Sequence, residues 1–223
     1  MAKAGRSVGN RRGLRWHGGR RLFALRPSTG DPMNSKGVLR KKMVCVGVTG
    51  HRPNRMPEQQ WHRIKNQLAQ VMAEIEASNL AHRTILLSGL AEGADRLAAF
   101  VALGRGWDLH AILAFHRRRF EEDFPDPFAV GEFRALLKAS LTVEEPKKRA
   151  HLRRPPEEGY YRVGRRLLDL SDVLIAVWDG EGSRGKGGTV EVIEEARARG
   201  VSVVWVHANK ARSPKRLGST KAS

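Results

Sequence analysis

A chain of 223 residues holds one α/β domain with tails or two very small domains, and its formal net charge of +18, with a pI near 11.1, taken whole points to a nucleic-acid partner. The charge sits at the ends, however: residues 1–42 carry 12 Lys and Arg against the single acid Asp31, residues 210–223 add +5, and residues 43–209 are left with only +2. That near-neutral centre disfavours nucleic acid as the partner of the folded part, and the lone cysteine, Cys45, excludes an intramolecular disulfide or a multi-cysteine metal site.

Residues 1–42 are rich in Gly and Arg and show no apolar period. Their longest apolar run, Leu22 to Leu25, is too short for a secretory core or a membrane span. They read as a basic, disordered tail, as an upstream extension of a chain starting at Met33 or Met43, or as an Arg-rich transit peptide. The expected location is the cytoplasm, without membrane contact.

From Met43 onward, short apolar runs alternate with helical patterns. The segments "MVCVGVTG" (43–50), "TILLSGL" (84–90), "LHAILAF" (109–115), "DVLIAVWDG" (172–180) and "VSVVWVHA" (201–208) are nearly continuous in apolar character, as strands covered on both faces are. "SLTVE" (140–144) is a further strand or only a connection. Helices are expected from Pro57-Glu58, near Ala91, over Glu132 to Ala139, over Gly159 to Leu170, and after Gly188. The alternation predicts one α/β domain over 43–209: a three-layer, Rossmann-like arrangement with a mostly parallel sheet and helices on both faces. Residues 116–158 mix charge, Pro and aromatics without a period and read as a lid or a solvated loop. Residues 210–223 read as a second basic, disordered tail.

In such sheets ligands bind beyond the carboxyl ends of the strands. Three glycine-bearing loops fall there: "TGHRP" (Thr49, Gly50, Arg52), "SGLAEGAD" (Ser88, Gly89, Gly93, Asp95) and "DGEGSRGKGGT" (Asp179, Gly187, Gly188, Thr189). Glycine lets a backbone approach a ligand closely, and the unsatisfied N–H groups of a following helix favour an anion. Thr189 is then either an N-cap or a ligand contact, with Lys186 or Arg184 adding charge. Arg52 suits a phosphate clamp. His51 is a general acid or a solvated loop histidine. Asp95 binds a ribose or base edge, or satisfies local backbone donors. The remaining histidines lack metal-ligand spacing, so neither a metal nor a cofactor is expected.

"SGLAEGADRLAAFVAL" resembles a segment of the bacterial DNA-processing proteins that load recombinase on single strands. "SDVLIAVWDG…GGTVEVIEEA" resembles the "SDAFIALPGGxGTxxE" segment of the LOG phosphoribohydrolases, which activate cytokinins. Together with the opening "GVTGHRP" they resemble the SLOG superfamily of Rossmann-like nucleotide-binding proteins over about 43–208. The resemblance implies a nucleotide as ligand or substrate and a homodimer. It also implies that Glu191, two places after Thr189, assists N-glycosidic cleavage. Two departures stand against that chemistry. Trp178 replaces the motif's proline in a longer turn, and Val163 occupies the place of the family's catalytic arginine, with Arg162 one position off and Arg165 and Arg166 on the next turn. The expected pose sets phosphate on Gly187–Thr189 with Ser88 and Arg52, ribose toward Glu191 and Asp95, and the base under Trp178 or Phe115. Nucleotide binding without turnover is the leading expectation, a nucleoside 5'-monophosphate phosphoribohydrolase the alternative, and a DNA-binding protein the third.

Overall fold

In the computed structural model, residues 43–78, 83–124, 126–147, 155–182 and 188–218 are described. Six strands run parallel: β1 (Met43–Gly50), β2 (Arg83–Ser88), β3 (Asp108–Ile112), β4 (Thr142–Glu144), β5 (Val173–Trp178) and β6 (Ser202–His207). A seventh, β7 (Lys215–Leu217), pairs antiparallel with β6, Trp205 opposite Lys215. The sheet order is β4-β3-β2-β1-β5-β6-β7. The α/β, Rossmann-like architecture expected from the alternation is therefore the one found. The domain also runs past residue 209. "KRL" has no apolar alternation, so the backbone ladder along β6 recruits a segment whose side chains gave no strand signal.

The helices are α1 (Trp61–Ser78), α2 (Ala94–Gly104), α3 (Arg117–Glu121), α4 (Pro127–Ala139), α5 (Pro156–Leu170) and α6 (Thr189–Ala198). Helices α1 and α2 pack together on one face of the sheet, with α4 beside α2, while α5 and α6 pack together on the other. In α1 the spacing of Ile64, Leu68, Val71, Met72 and Ile75 places all five in the core. Helix α4 begins five residues earlier than its apolar period suggests, because Asp126 caps it, accepting from the Ala129 N–H at 2.8 Å, and Pro127 suits the first turn. Helix α3 and the start of α4 thus give structure to part of the region expected to be a lid or loop. Cys45 is half-buried on β1, and burial, with Asp172 nearby, pushes its thiol up to about 11, so it is inert.

The order of the strands positions the site. The connections leaving β1 and β5 diverge to opposite sides, β1 toward β2 and β5 toward β6, and a crevice opens between them at the carboxyl edge.

Candidate functional site

The loops at this edge are tied together by the backbone of His51. Its N–H donates to the Val177 carbonyl at 3.1 Å, and its carbonyl accepts from the Ala94 N–H at 3.1 Å. Gly50 makes this approach possible: a Cβ there would stand 2.4 Å from that of Ala94. Gly93 turns the chain into α2 at φ +97, and a Cβ would lie 2.6 Å from the His51 carbonyl oxygen. Gly93→Ala is therefore expected to cost about 2 kcal/mol or more in urea unfolding. An unchanged midpoint would show that the turn relaxes freely.

A cleft of about 580 Å³ lies at this junction. Its lining includes Thr49, Gly50 and Arg52 from the first loop, Gly89 and Asp95 from the second, and Gly188 and Thr189 at the start of α6. Seven of the residues expected from the glycine loops are thus brought to one cavity. Gly187, with Arg184 and Lys186, lies outside the described residues.

Asp95 is the buried carboxyl of this cleft. It sits in the first turn of α2 and is 8% exposed. Burial raises its carboxyl to about 7, against the opposing pull of backbone bonds at Ala91 and Gly89 and of the nearby Arg52 and Arg96 charges. Arg96 locks this loop from behind: its Nη1 donates to the Ala129 carbonyl at 2.7 Å, its Nε to the Leu90 carbonyl at 3.2 Å, and its guanidinium lies 4.1 Å from the Phe124 ring centre.

Gly188 is the N-cap residue of α6, at φ −83, and among the described residues no side chain caps the first turn, so Thr189 is the first helical residue and not the cap. Its leading N–H groups and the helix dipole face the cleft through Gly188, Thr189 and Val190.

The fourth wall is α5, through Glu157, Tyr160, Val163 and Gly164. Gly164 abuts Val192 of α6, whereas Tyr160 lies at the other end of the cleft. With a rise of 1.5 Å per residue, Glu157 and Gly164 are about 10 Å apart along the helix. At the Tyr160 end Arg52 Nη2 donates to the Tyr160 hydroxyl at 2.5 Å, which donates to Asp123 Oδ2 at 3.1 Å. Tyr160 is thus the aromatic group of the cleft.

Several expected site residues stand elsewhere. Ser88 is fully buried, accepting from the Leu90 N–H at 3.1 Å and donating to the Asp95 carbonyl at 3.4 Å, so it shapes the loop and does not line the cleft. Gly93 likewise turns the chain beneath the cavity. Asp179 is tied up in a local network: His51 Nε2 lies 3.0 Å from its Oδ1, and Arg55 Nη2 2.6 Å from its Oδ2. His51 lines the cleft, but it is 5% exposed, a buried partner of Asp179 and not a solvated loop residue. Glu191 is not among the cleft-lining residues, and neither are Trp178 and Phe115. Phe115 is packed edge-on beneath Tyr160, 5.4 Å between ring centres, and Trp178 is packed against Trp205. Arg162 and Arg166 point away from the cleft to a neighbouring face of α5, where Arg166 pairs with Glu144 at 2.8 Å. Val163, at the place where the resemblance expects an arginine, does line the cleft.

Tyr160 and Asp123 were not evident in the sequence. A signal for Tyr160 existed, since it shares one helical face with Val163, Gly164 and Leu167. Asp123 lies in the segment without a period. Among the described residues no group of three or more His, Cys, Asp or Glu could hold a metal, and no helix is long and apolar enough to cross a membrane.

No protein-family model matches the chain, and no curated protein does. Solved structures do match. DNA processing protein A of Streptococcus pneumoniae aligns with TM-score 0.50 and 17% identity over 77% of this chain and 53% of its own, so the chain spans about half its length. DNA processing protein A of Helicobacter pylori, described with its single-stranded DNA binding mode, aligns with TM-score 0.49 and 17% identity over 76% and 68%. The Moco carrier protein of Chlamydomonas rheinhardtii aligns with TM-score 0.42 and 18% identity over 74% and 76%. At these identities the likeness is one of fold, and it rests on the first of them.

Proposed function

We propose that the cleft binds a nucleotide or a nucleotide-derived phosphorylated ligand without turning it over. The observation that carries this reading is the meeting, in one cavity at the switch point of the sheet, of the glycine-led N-terminus of α6, the Arg52 guanidinium and the buried Asp95 carboxyl. The phosphate takes the N–H groups at Gly188–Thr189, since a helix end offers donors and a favourable dipole together. The sugar lies over Asp95, and the base reaches the Tyr160 end, about 6 Å along α5 from Gly164 by helical rise. This replaces a pose built on Ser88, Glu191, Trp178 and Phe115, none of which lines the cleft.

Binding is favoured over N-glycosidic hydrolysis by α5. It presents Val163 to the cleft, while Arg162 and Arg166 line a different pocket. No guanidinium from that helix is then available to a leaving base or phosphate. In this reading the chain works in the cytoplasm, and as a homodimer, as the resemblance to the SLOG superfamily implies.

The test is a titration of the full chain with adenosine, guanosine, cytidine and uridine monophosphates, followed by calorimetry, melting temperature and chromatography of free base. At least one nucleotide is expected to bind and to stabilise by about 2.7 kcal/mol at a hundredfold excess over Kd. No base should appear. Thr189→Glu separates binding from folding, because a carboxylate in the first turn of a helix complements the dipole yet repels phosphate. It should lose more than about a hundredfold in affinity while keeping its melting temperature. Release of free base would make the chain a hydrolase, and no binding by any of the four would refute the proposal.

A further inference from the structure

A second pocket, of about 240 Å³, opens on the neighbouring face of α5, with Val163 as the wall it shares with the cleft. Its sides are apolar, formed by the buried Ile112 and Leu113 and by Pro146 and Val163. Four charged residues line it: Glu144, Glu145, Arg162 and Arg166.

Both carboxylates are fully engaged. Glu144 takes Arg166 through both oxygens, at 2.9 and 2.8 Å, with His110 Nε2 3.3 Å from Oε1. Glu145 takes the Arg117 backbone N–H at 2.7 Å and the Arg117 guanidinium through both oxygens, at 3.2 Å to Oε1 and at 3.1 and 2.7 Å to Oε2, with His116 Nε2 3.5 Å from Oε1. Arg162 is different. Its one recorded bond among the described residues is a long one, 3.4 Å from Nη2 to the Ala114 carbonyl, and its Nε is buried without a hydrogen-bond partner. A buried guanidinium donor left without an acceptor is costly, and among the described residues no carboxylate pairs with Arg162, so it is the cation of this pocket open to an anion.

We propose that this pocket is a second ligand site, separate from the nucleotide cleft, which takes a small monocarboxylate with Arg162 as its cation. The charge count sets the class. Among the described residues lining the pocket, Glu144 is neutralised by Arg166 and Glu145 by Arg117, so Arg162 supplies one surplus positive charge. A single surplus charge beside two carboxylates accepts a monoanion and repels phosphate dianion. The planar fork of a guanidinium matches a carboxylate, and the apolar walls select a short hydrocarbon body over a hydroxylated one.

The experiment is calorimetric titration of the full chain with sodium butyrate, with its neutral isostere butyramide, and with inorganic phosphate. Butyrate should bind saturably, and butyramide and phosphate at least about tenfold more weakly, the scale of a lost charge-assisted bond. Arg162→Gln should weaken butyrate by a similar factor, and Thr189→Glu should leave it unchanged. The comparison of butyrate with butyramide needs no variant and stands even if Arg162→Gln fails to fold. Absence of saturable butyrate binding, equal binding of butyramide or phosphate, retention of affinity in Arg162→Gln, or its loss in Thr189→Glu would each overturn the proposal.

Discussion

Asp95→Asn is expected to stabilise the protein at pH 8 by about 4 kcal/mol, while weakening ligand binding. The carboxyl moves from an ordinary 3.8 to about 7 because it is buried, and the backbone donors at Ala91 and Gly89 and the Arg52 and Arg96 charges only partly offset this. A folded-state pKa above the unfolded value means that the folded form prefers the proton. The stability associated with the neutral acid is therefore fully present below pH 3.8 and is lost as pH rises through 7. About three pH units, at roughly 1.4 kcal/mol each, give the figure above. Asparagine keeps an oxygen for the backbone N–H groups and carries no charge. Its advantage should thus be near zero at pH 3, grow through pH 5 and 7, and level off by pH 8. Urea unfolding of both proteins across this range measures it, and parallel profiles would remove Asp95 from the account. A residue that costs the fold stability at neutral pH while lining a cleft is most simply retained for its ligand.

Asp179→Ala should destabilise the chain by about 4 kcal/mol, the scale of removing one partner from a buried ionic network. The Asp179 side chain is 5% exposed and holds both His51 and Arg55. Burial alone would raise its carboxyl, but the Glu181 N–H, His51 and Arg55 outweigh it and bring it down to about 2. The sign is opposite to that of Asp95. This stability is present above an ordinary carboxylate value and is lost as pH falls from about 4 through 2. Glu144, held at about 2 by His110 and Arg166 against the effect of burial, titrates in the same acid window. The wild-type protein should therefore unfold in acid more steeply than the Asp179→Ala variant. Unfolding at pH 7 and pH 3 would show it, and a variant as stable as the wild type would mean that His51 and Arg55 find other partners. The loop carrying Arg52 depends on this network, so nucleotide affinity should fall as well.

The strands and the glycine loops were legible because their signals are local. Continuous runs such as "LIAV" mark a strand buried on both faces, and glycines at Gly50 and Gly93 mark places where two loops nearly touch. What could not be read depended on partners distant in sequence. Asp179 looks like a loop carboxylate until His51 and Arg55 arrive from the segment after β1, 124 or more residues earlier. Arg162 and Arg166 differ from Val163 only in which face of α5 they occupy, and a shift of one residue rotates a side chain by about 100°. That rotation decides between two cavities. Strand β7 owes its existence to the open edge of β6 and not to its own sequence.

The most direct measurement is the crystal structure of the full chain with the tightest-binding nucleoside monophosphate. The account predicts phosphate oxygens accepting from the N–H groups at the start of α6, the sugar over Asp95 and the base beside Tyr160. Phosphate found instead beside Arg162, or along the Arg117–Phe124 segment, would contradict it.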